Sequence, residues 1–239
     1  MAQEVHKTED GTLYFDAKKC IHSRNCVLER PDVFVPNVKG EWIHPERASA
    51  AELHMLEQNC PSGAIRFVEN GKAPRPVLVN TLHIRENGPY ALKAEIHFAG
   101  EEKPVTRMAL CRCGASKNKP YCDGSHVEIG FEASGEVATR KSEPLETRNG
   151  PLTLKVLKDG PLELDGNLEI CTGTGRTVER TKSAHLCRCG ASKNKPFCDG
   201  SHRGTTFTPL AFEAKEAGTA HLCMCKHSQN PPYCDGAHA

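Results

Sequence analysis

Cys111-Arg-Cys113-Gly-Ala-Ser-Lys-Asn-Lys-Pro-Tyr-Cys122-Asp-Gly-Ser-His126 is the stretch on which the reading of this chain turns. The pattern returns from Cys187 through Cys189 and Cys198 to His202, and again from Cys223 through Cys225 and Cys234 to His238. Every copy reads C-x-C, eight residues, then C-D-G-[SA]-H. Three thiolates and one imidazole in so short a loop can close around a metal centre. A C-x-C pair converges only if the backbone turns, and Gly114 or Lys226 follows it. Cys122 and His126 stand one helical turn apart and share a face. Asp123 is suited to cap that turn, and Gly124 to a close backbone approach. Pro120, Pro196 and Pro232 fix the backbone two residues before the third cysteine.

Working outward, Leu110–Pro120 recurs unchanged as Leu186–Pro196, 76 residues on. Gly88–Phe98 is echoed by Gly160–Ile170, and both alternate apolar and polar residues like half-buried strands. A second strand is expected to lead into each C-x-C, over Val105–Leu110 and Val178–Leu186. A third is expected after each histidine, over Gly130–Ala133 and Thr206–Phe212. The third copy follows the second by only 36 residues and is expected to share its strands. Before Ala73 the chain changes character: it holds Trp42, three cysteines and a helix expected over Pro45–Cys60, with Ala48, Ala51, Met55 and Leu56 near one face. Asn70-Gly-Lys-Ala-Pro-Arg-Pro76 reads as turn and linker. The expected units are therefore 1–73, 77–140 and 145–239.

Composition narrows the function. Aromatics make up 5% of 239 residues, so small loop-rich units are expected rather than one large core. A formal charge of +1 gives no electrostatic reason to expect nucleic acid or an anionic membrane. The N-terminal residues lack the apolar stretch of a secretory signal, which points to a reducing, cytoplasmic compartment where clustered cysteines bind metal. Twelve of the thirteen cysteines fall into spaced sets, leaving Cys171 as a buried small hydrophobe. Ligand chemistry alone leaves zinc and iron–sulfur both open, because three cysteines and a histidine suit either.

The residues between the ligands resemble the CDGSH-type (NEET) iron–sulfur proteins: C-x-C-x2-S-x3-P-x-C-D-G-[SA]-H is intact in all three copies, with serines at 116, 192 and 228. The resemblance implies a 2Fe-2S cluster at each site. One iron would be held by Cys111 and Cys113 and the other by Cys122 and His126. The same roles fall to Cys187, Cys189, Cys198 and His202, and to Cys223, Cys225, Cys234 and His238. It further implies compact β-rich units with two sites side by side. The second and third copies look like members that pair two sites within a chain. The first looks like members that pair by homodimerisation. Imidazole in place of a thiolate raises the potential and makes the cluster acid-labile.

Cys20-Ile-His22-Ser23-Arg-Asn-Cys26, followed by Cys60-Pro61, departs from the ferredoxin pattern C-x2-C-x2-C with a remote C-P, because Ser23 stands in the middle position. The segment resembles the divergent single-cluster 4Fe-4S ferredoxin domain, through C-I-H-S-x-N-C, Pro31–Val35, Trp42-Ile43 and C-P-S-G-A. That implies a small α+β ferredoxin-like unit with a 3Fe-4S or 4Fe-4S cluster on Cys20, Cys26 and Cys60. The fourth ligand is open between His22, Ser23, an external group and none.

The expected fold class is thus α+β, a ferredoxin-like unit followed by β-rich units with cluster-binding loops and short helical turns. No serine–histidine–aspartate order, phosphate loop or dinucleotide fingerprint is present, so a carrier of electrons or clusters is expected rather than an enzyme. Its partner would be a flavoprotein, a ferredoxin reductase or an apo-acceptor of clusters. The competing readings are a zinc-stabilised interaction module and an electron-transfer subunit of a larger oxidoreductase.

Overall fold

The computed structural model describes residues 3–73, 75–99 and 104–203. Strand accounts for 33% and helix for 11%, so the fold is β-rich. The third copy and the strand expected over Thr206–Phe212 lie outside the described residues.

The N-terminal unit is an antiparallel sheet of β1 (Glu4–Lys7), β2 (Gly11–Phe15) and β3 (Ile65–Glu69), with β2 central. Leu13 pairs with Phe67 and Phe15 with Ile65, so alternation turns one apolar face inward. Against that face lie Val33, Phe34 and Ile43, and the helix α2 (Ala50–Asn59). A short helix, α1 (Asn25–Glu29), lies beside α2. The helix expected over Pro45–Cys60 is a 3-10 turn over Pro45–Arg47 followed by α2. Ser49 interrupts it because its hydroxyl accepts from the Glu52 N–H at 3.4 Å, while Glu52 accepts from the Ser49 N–H at 2.8 Å. This capping box starts a new helix at Ala50. The inward face is also corrected: Leu53 and Leu56 are buried, whereas Ala51 and Met55 face out. Two leucines one turn apart outweigh the stripe of alanines in apolar area.

The remainder is one six-stranded sheet: β4 (Thr81–Ile84), β5 (Tyr90–Phe98), β6 (Val105–Leu110), β7 (Pro151–Val156), β8 (Leu162–Thr172) and β9 (Thr177–Leu186). The first copy owns β4 to β6 and the second owns β7 to β9. They do not sit as two sheets. β4 pairs antiparallel with Tyr90–Lys93 of its own β5 and parallel with β8 of the other copy. β7 pairs antiparallel with β8 and parallel with Glu95–Phe98 of β5. The two short strands thus lie end to end in the gap between β5 and β8, and β6 and β9 close the outer edges. Leu82, Leu92, Ile96, Leu152, Leu164 and Ile170 belong to one continuous core.

The sheet draws strands from both sides of the boundary expected at 140/145. Within it the first and second copies are joined to each other; the third copy, expected to share the second copy's strands, lies outside the described residues. The joining is a reciprocal strand exchange, which repeat spacing does not encode. Residues 130–133 form no strand; they run on from the turn after His126. Thr172-Gly-Thr-Gly-Arg is the β8–β9 turn, closed by the Thr172 N–H on the Arg176 carbonyl at 2.8 Å.

Candidate metal centres

Cys111 follows the last residue of β6, and the chain then loops back on itself. The Cys111 N–H donates to the Pro120 carbonyl and the Cys122 N–H to the Ala109 carbonyl, both at 2.8 Å. Inside the loop the Ser116 hydroxyl donates to the Tyr121 carbonyl at 2.6 Å and accepts from the Asn118 N–H at 3.0 Å. The second copy repeats each bond with Ser192, Phe197 and Asn194, at 2.7 and 3.0 Å. The ammonium groups of Lys119 and Lys195 donate to the Ser116 and Ser192 carbonyls, so they brace the loops from within.

The donors are brought together in pairs. Cys111 and Cys113 sulfurs stand 3.8 Å apart, and Cys187 and Cys189 sulfurs 3.7 Å apart. Cys122 Sγ lies 3.3 Å from His126 Nδ1, and Cys198 Sγ lies 3.4 Å from His202 Nδ1. A tetrahedral metal holding sulfur at about 2.3 Å and imidazole nitrogen at about 2.0–2.1 Å sets two sulfurs about 3.8 Å apart, and a sulfur and nitrogen about 3.5 Å apart. Each pair therefore spans one metal. Among the described residues no three His, Cys, Asp or Glu side chains converge on a single ion. The donor set fits two metals per copy, each held by one pair.

All ten described cysteines are free thiols. The Cys111–Cys113 pair shares a proton: the contact with Cys113, and then burial, push the Cys111 thiol up. The contact with Cys111 lowers Cys113 to about 6, and the Ala115 N–H, 3.4 Å from its sulfur, helps hold the charge there. Burial raises Cys122 to about 11 and lowers His126, which favours the neutral imidazole that ligates metal. The Asp123 carboxylate accepts from the Ser125 N–H at 3.0 Å, the Ser125 hydroxyl at 2.7 Å and the Lys117 N–H at 2.7 Å. Burial alone would raise its pKa, and these donors outweigh burial and lower it. The short helix α3 (Ser125–Glu128) begins there, with Gly124 at φ 89°. Gly124 is needed for that left-handed turn; a Cβ on it would meet nothing within 4 Å.

Close approach is the property of Gly114. A Cβ there would lie 2.6 Å from the Cys189 carbonyl oxygen, and one on Gly190 would lie 2.5 Å from that of Cys113. The two C-x-C loops thus touch reciprocally. Arg112 and Arg188, the middle residues of C-x-C, escaped the sequence reading. Both are buried, and each lies close enough to the first cysteine of the other copy to feel its charge. Arg112 donates to the Arg85 and Ser134 carbonyls at 2.7 Å, and Arg188 to the Gly160 and Leu157 carbonyls at 2.7 Å. The pseudo-symmetry breaks at Tyr90, whose hydroxyl lies 2.9 Å from the carbonyls of Cys187 and Pro196 in the second copy. Its counterpart in the Gly-Pro echo is Leu162, which has no hydroxyl to return the contact.

At the N-terminal site, Cys20, Cys26 and Cys60 line one cleft, together with His22, Ser23, Phe15, Trp42 and Ile65. Cys26 is the second residue of α1, and Cys60 is the C-cap of α2. The intervening loop places His22 and Arg24 at positive φ, 54° and 64°. Two left-handed non-glycine residues within three positions bend the chain around the cleft at a cost of about 1–2 kcal/mol each. Burial raises the Cys20 thiol and takes Cys26 to about 11. Three thiols converging on one partly apolar cleft fit a cluster site, and both His22 and Ser23 reach it. Cys171 is buried in β8, and His54 is held by Glu57 and Glu69 at 3.3 and 3.1 Å, as structural residues. No described helix is long and apolar enough to cross a membrane.

The family described as an iron-binding zinc finger of CDGSH type matches residues 87–127, 159–203 and 208–239. A divergent 4Fe-4S mono-cluster family matches residues 7–70. The mouse mitochondrial CDGSH iron–sulfur domain-containing protein 3 is 56% identical over 37 residues, covering 15% of this chain and 27% of that protein. A Drosophila melanogaster CDGSH iron–sulfur domain protein is 38% identical over 55 residues, 23% of this chain and 38% of its own length. The uncharacterized Escherichia coli K12 protein YjdI is 36% identical over 56 residues, 23% of this chain and 71% of its own. The match thus spans well under half of the two animal proteins. No solved structure matches. The chain belongs with the CDGSH iron–sulfur proteins, carrying three such segments behind a divergent 4Fe-4S domain.

Proposed function

We propose that this chain is an iron–sulfur carrier that relays electrons, donates clusters, or does both, and is not itself an enzyme. Three 2Fe-2S clusters are assigned, to Cys111, Cys113, Cys122 and His126, to Cys187, Cys189, Cys198 and His202, and to Cys223, Cys225, Cys234 and His238. A 3Fe-4S or 4Fe-4S cluster is assigned to Cys20, Cys26 and Cys60 in a ferredoxin-like unit. The observation that carries this reading is the pairing of donors at the span of one metal, 3.8 Å for two sulfurs and 3.3 Å for sulfur and nitrogen. Such pairs suit the two irons of a dinuclear cluster, whereas a zinc knuckle draws four donors to one ion. When bound, the clusters supply one-electron redox chemistry. The protein holds them in nearly dry loops, offsets their charge with Arg112 and Arg188, and leaves His126 and His202 as the labile ligands. A flavoprotein, a ferredoxin reductase or an apo-acceptor is the expected partner.

Iron, sulfide and zinc content of anaerobically purified protein tests the assignment. About six irons per chain fill only the three C-x-C…C-D-G-[SA]-H motifs, and nine or ten fill the N-terminal site as well. Stoichiometric zinc without sulfide overturns it.

A further inference from the structure

Among the described residues, the N-terminal unit is docked against the first repeat. Both of its ligand-bearing loops make that contact. The Lys18 carbonyl, two residues before Cys20, accepts from the Asn118 side chain at 3.0 Å. The Lys19 ammonium stands 5.6 Å from the centroid of the Tyr121 ring. Lys19 is bonded to Cys20, and Tyr121 to Cys122. On the other loop, a Cβ on Gly63, three residues after Cys60, would lie 2.6 Å from the Arg107 carbonyl oxygen on β6. The buried Arg107 guanidinium reaches back to Glu57 at 3.3 Å and Gln58 at 3.1 Å at the end of α2.

The 76-residue offset names the matching positions in the second copy: Ser183 for Arg107, Asn194 for Asn118 and Phe197 for Tyr121. Serine offers no guanidinium to anchor α2. The other two positions are covered by the chain itself. Arg140 donates to the Asn194 side chain at 3.2 Å and lies 3.7 Å from the centroid of the Phe197 ring. One face is therefore open to the N-terminal unit, and the equivalent face is closed by residue 140.

We infer that, of the two described repeats, the N-terminal site exchanges electrons directly with the first repeat's site, across the seam of Lys18, Lys19, Asn118 and Tyr121, and that the second repeat is reached through the first. The step is a one-electron transfer. A low-potential external donor reduces the N-terminal cluster, that cluster gives one electron to the oxidised 2Fe-2S cluster of the first repeat, and no bond or proton moves. Electron tunnelling weakens steeply with distance and across empty space, so packed, directly bonded contact decides the route. The inference rests on the iron–sulfur reading of Cys20, Cys26 and Cys60.

The test uses the full chain, loaded with iron and sulfide and reduced with dithionite. Electron paramagnetic resonance is compared between chains in which the first site is emptied (C111S with C113S) and chains in which the second is emptied (C187S with C189S). Magnetic splitting of the N-terminal signal should vanish in the first case and persist in the second. Splitting that survives loss of the first site, or disappears with the second, overturns the inference. Absence of iron at an intact Cys20, Cys26 and Cys60 sinks the underlying reading and this one together. Iron that is present but magnetically isolated in the parent chain sinks this one alone.

Because emptied sites can disturb folding, a second pair of variants keeps every ligand. Lys19→Ala with Asn118→Ala should leave iron and sulfide content unchanged and slow internal transfer several-fold in rapid-mixing reduction, with the bimolecular reduction of the N-terminal cluster unaltered. Arg140→Ala, at the matching position of the second repeat, should leave that internal rate as it is. Equal effects of the two variants, or none from the first, would refute the route.

Discussion

Arg112 carries more than its place between two ligands suggests. Its guanidinium is 1% exposed, satisfies two main-chain carbonyls and lies over the rings of Tyr90 and Phe131. Arg112→Met leaves those carbonyls unpaired and should cost about 3 kcal/mol in chemical denaturation, at 1–3 kcal/mol for each buried group. An effect below 1 kcal/mol would show that the bonds are dispensable. His126 is the other residue whose replacement is diagnostic. His126→Cys exchanges a neutral donor for an anionic one, which should lower the potential and keep visible absorbance to lower pH than in the parent chain. Bleaching at the same pH would remove His126 from the role of labile ligand.

Among the elements, α2 owes its start to Ser49. Ser49→Ala should cost about 1 kcal/mol in thermal or denaturant unfolding, the usual worth of an N-cap. β8 holds a sheltered carboxylate between two arginines. Glu169, whose side chain is 5% exposed, accepts from Arg148 at 2.6 and 3.1 Å and faces Arg180 at 3.7 Å. The hydrogen bonds from Arg148, and then its charge and that of Arg180, outweigh burial and hold the carboxyl below its ordinary value. A lowered folded-state pKa contributes stability that is full above the unfolded value of about 4.3 and lost as pH falls through the folded one. Glu169→Gln should therefore cost about 1–2 kcal/mol at pH 7, discounted because Arg148 is largely solvated, with the gap closing in acid unfolding curves. At this scale the sequence was most readable. Alternation marked β5 and β8 because a dry face alternates with a wetter one over Leu92–His97 and Leu162–Asp165, and the approach to C-x-C marked β6 and β9. The helix boundary at Ser49 was also written in the sequence, as S-x-x-E, yet the longer apolar pattern masked it.

For the whole molecule, ligand spacing marked the cysteine–histidine loops but not the way the fold sets two of them against each other. Gly114 and Gly190 differ from other loop glycines only in what stands opposite them, and that is set by a strand exchange between segments far apart in the chain, Thr81 with Glu169 and Glu95 with Pro151. Nor does Lys19 or Asn118 announce the seam, since each is an ordinary surface residue until the other copy's cover over Asn194 is seen. The interlock predicts how the chain behaves when cut. Cleavage in the 141–149 connection should leave two fragments that stay together and keep their iron, while either fragment expressed alone should lack the six-stranded sheet and the metal of its C-x-C loop. Size-exclusion chromatography with iron analysis reads the result, and a folded, metal-loaded fragment 75–140 would contradict it.

The same end-to-end seating of β4 and β7 bears on biosynthesis. β4 completes its second edge only when β8 exists, so residues up to 172 must leave the ribosome before the first repeat can close. Non-local closure of this kind is slow, and it leaves strand edges and thiols bare in the meantime. The nascent first repeat is thus a half-built vessel, presenting Cys111, Cys113 and Cys122 before the walls that will enclose them. Metal delivery to the first repeat is best timed after translation of the second, and in nascent chains stalled before residue 172 the first repeat should be readily cut by protease and unable to retain iron at Cys111, Cys113, Cys122 and His126.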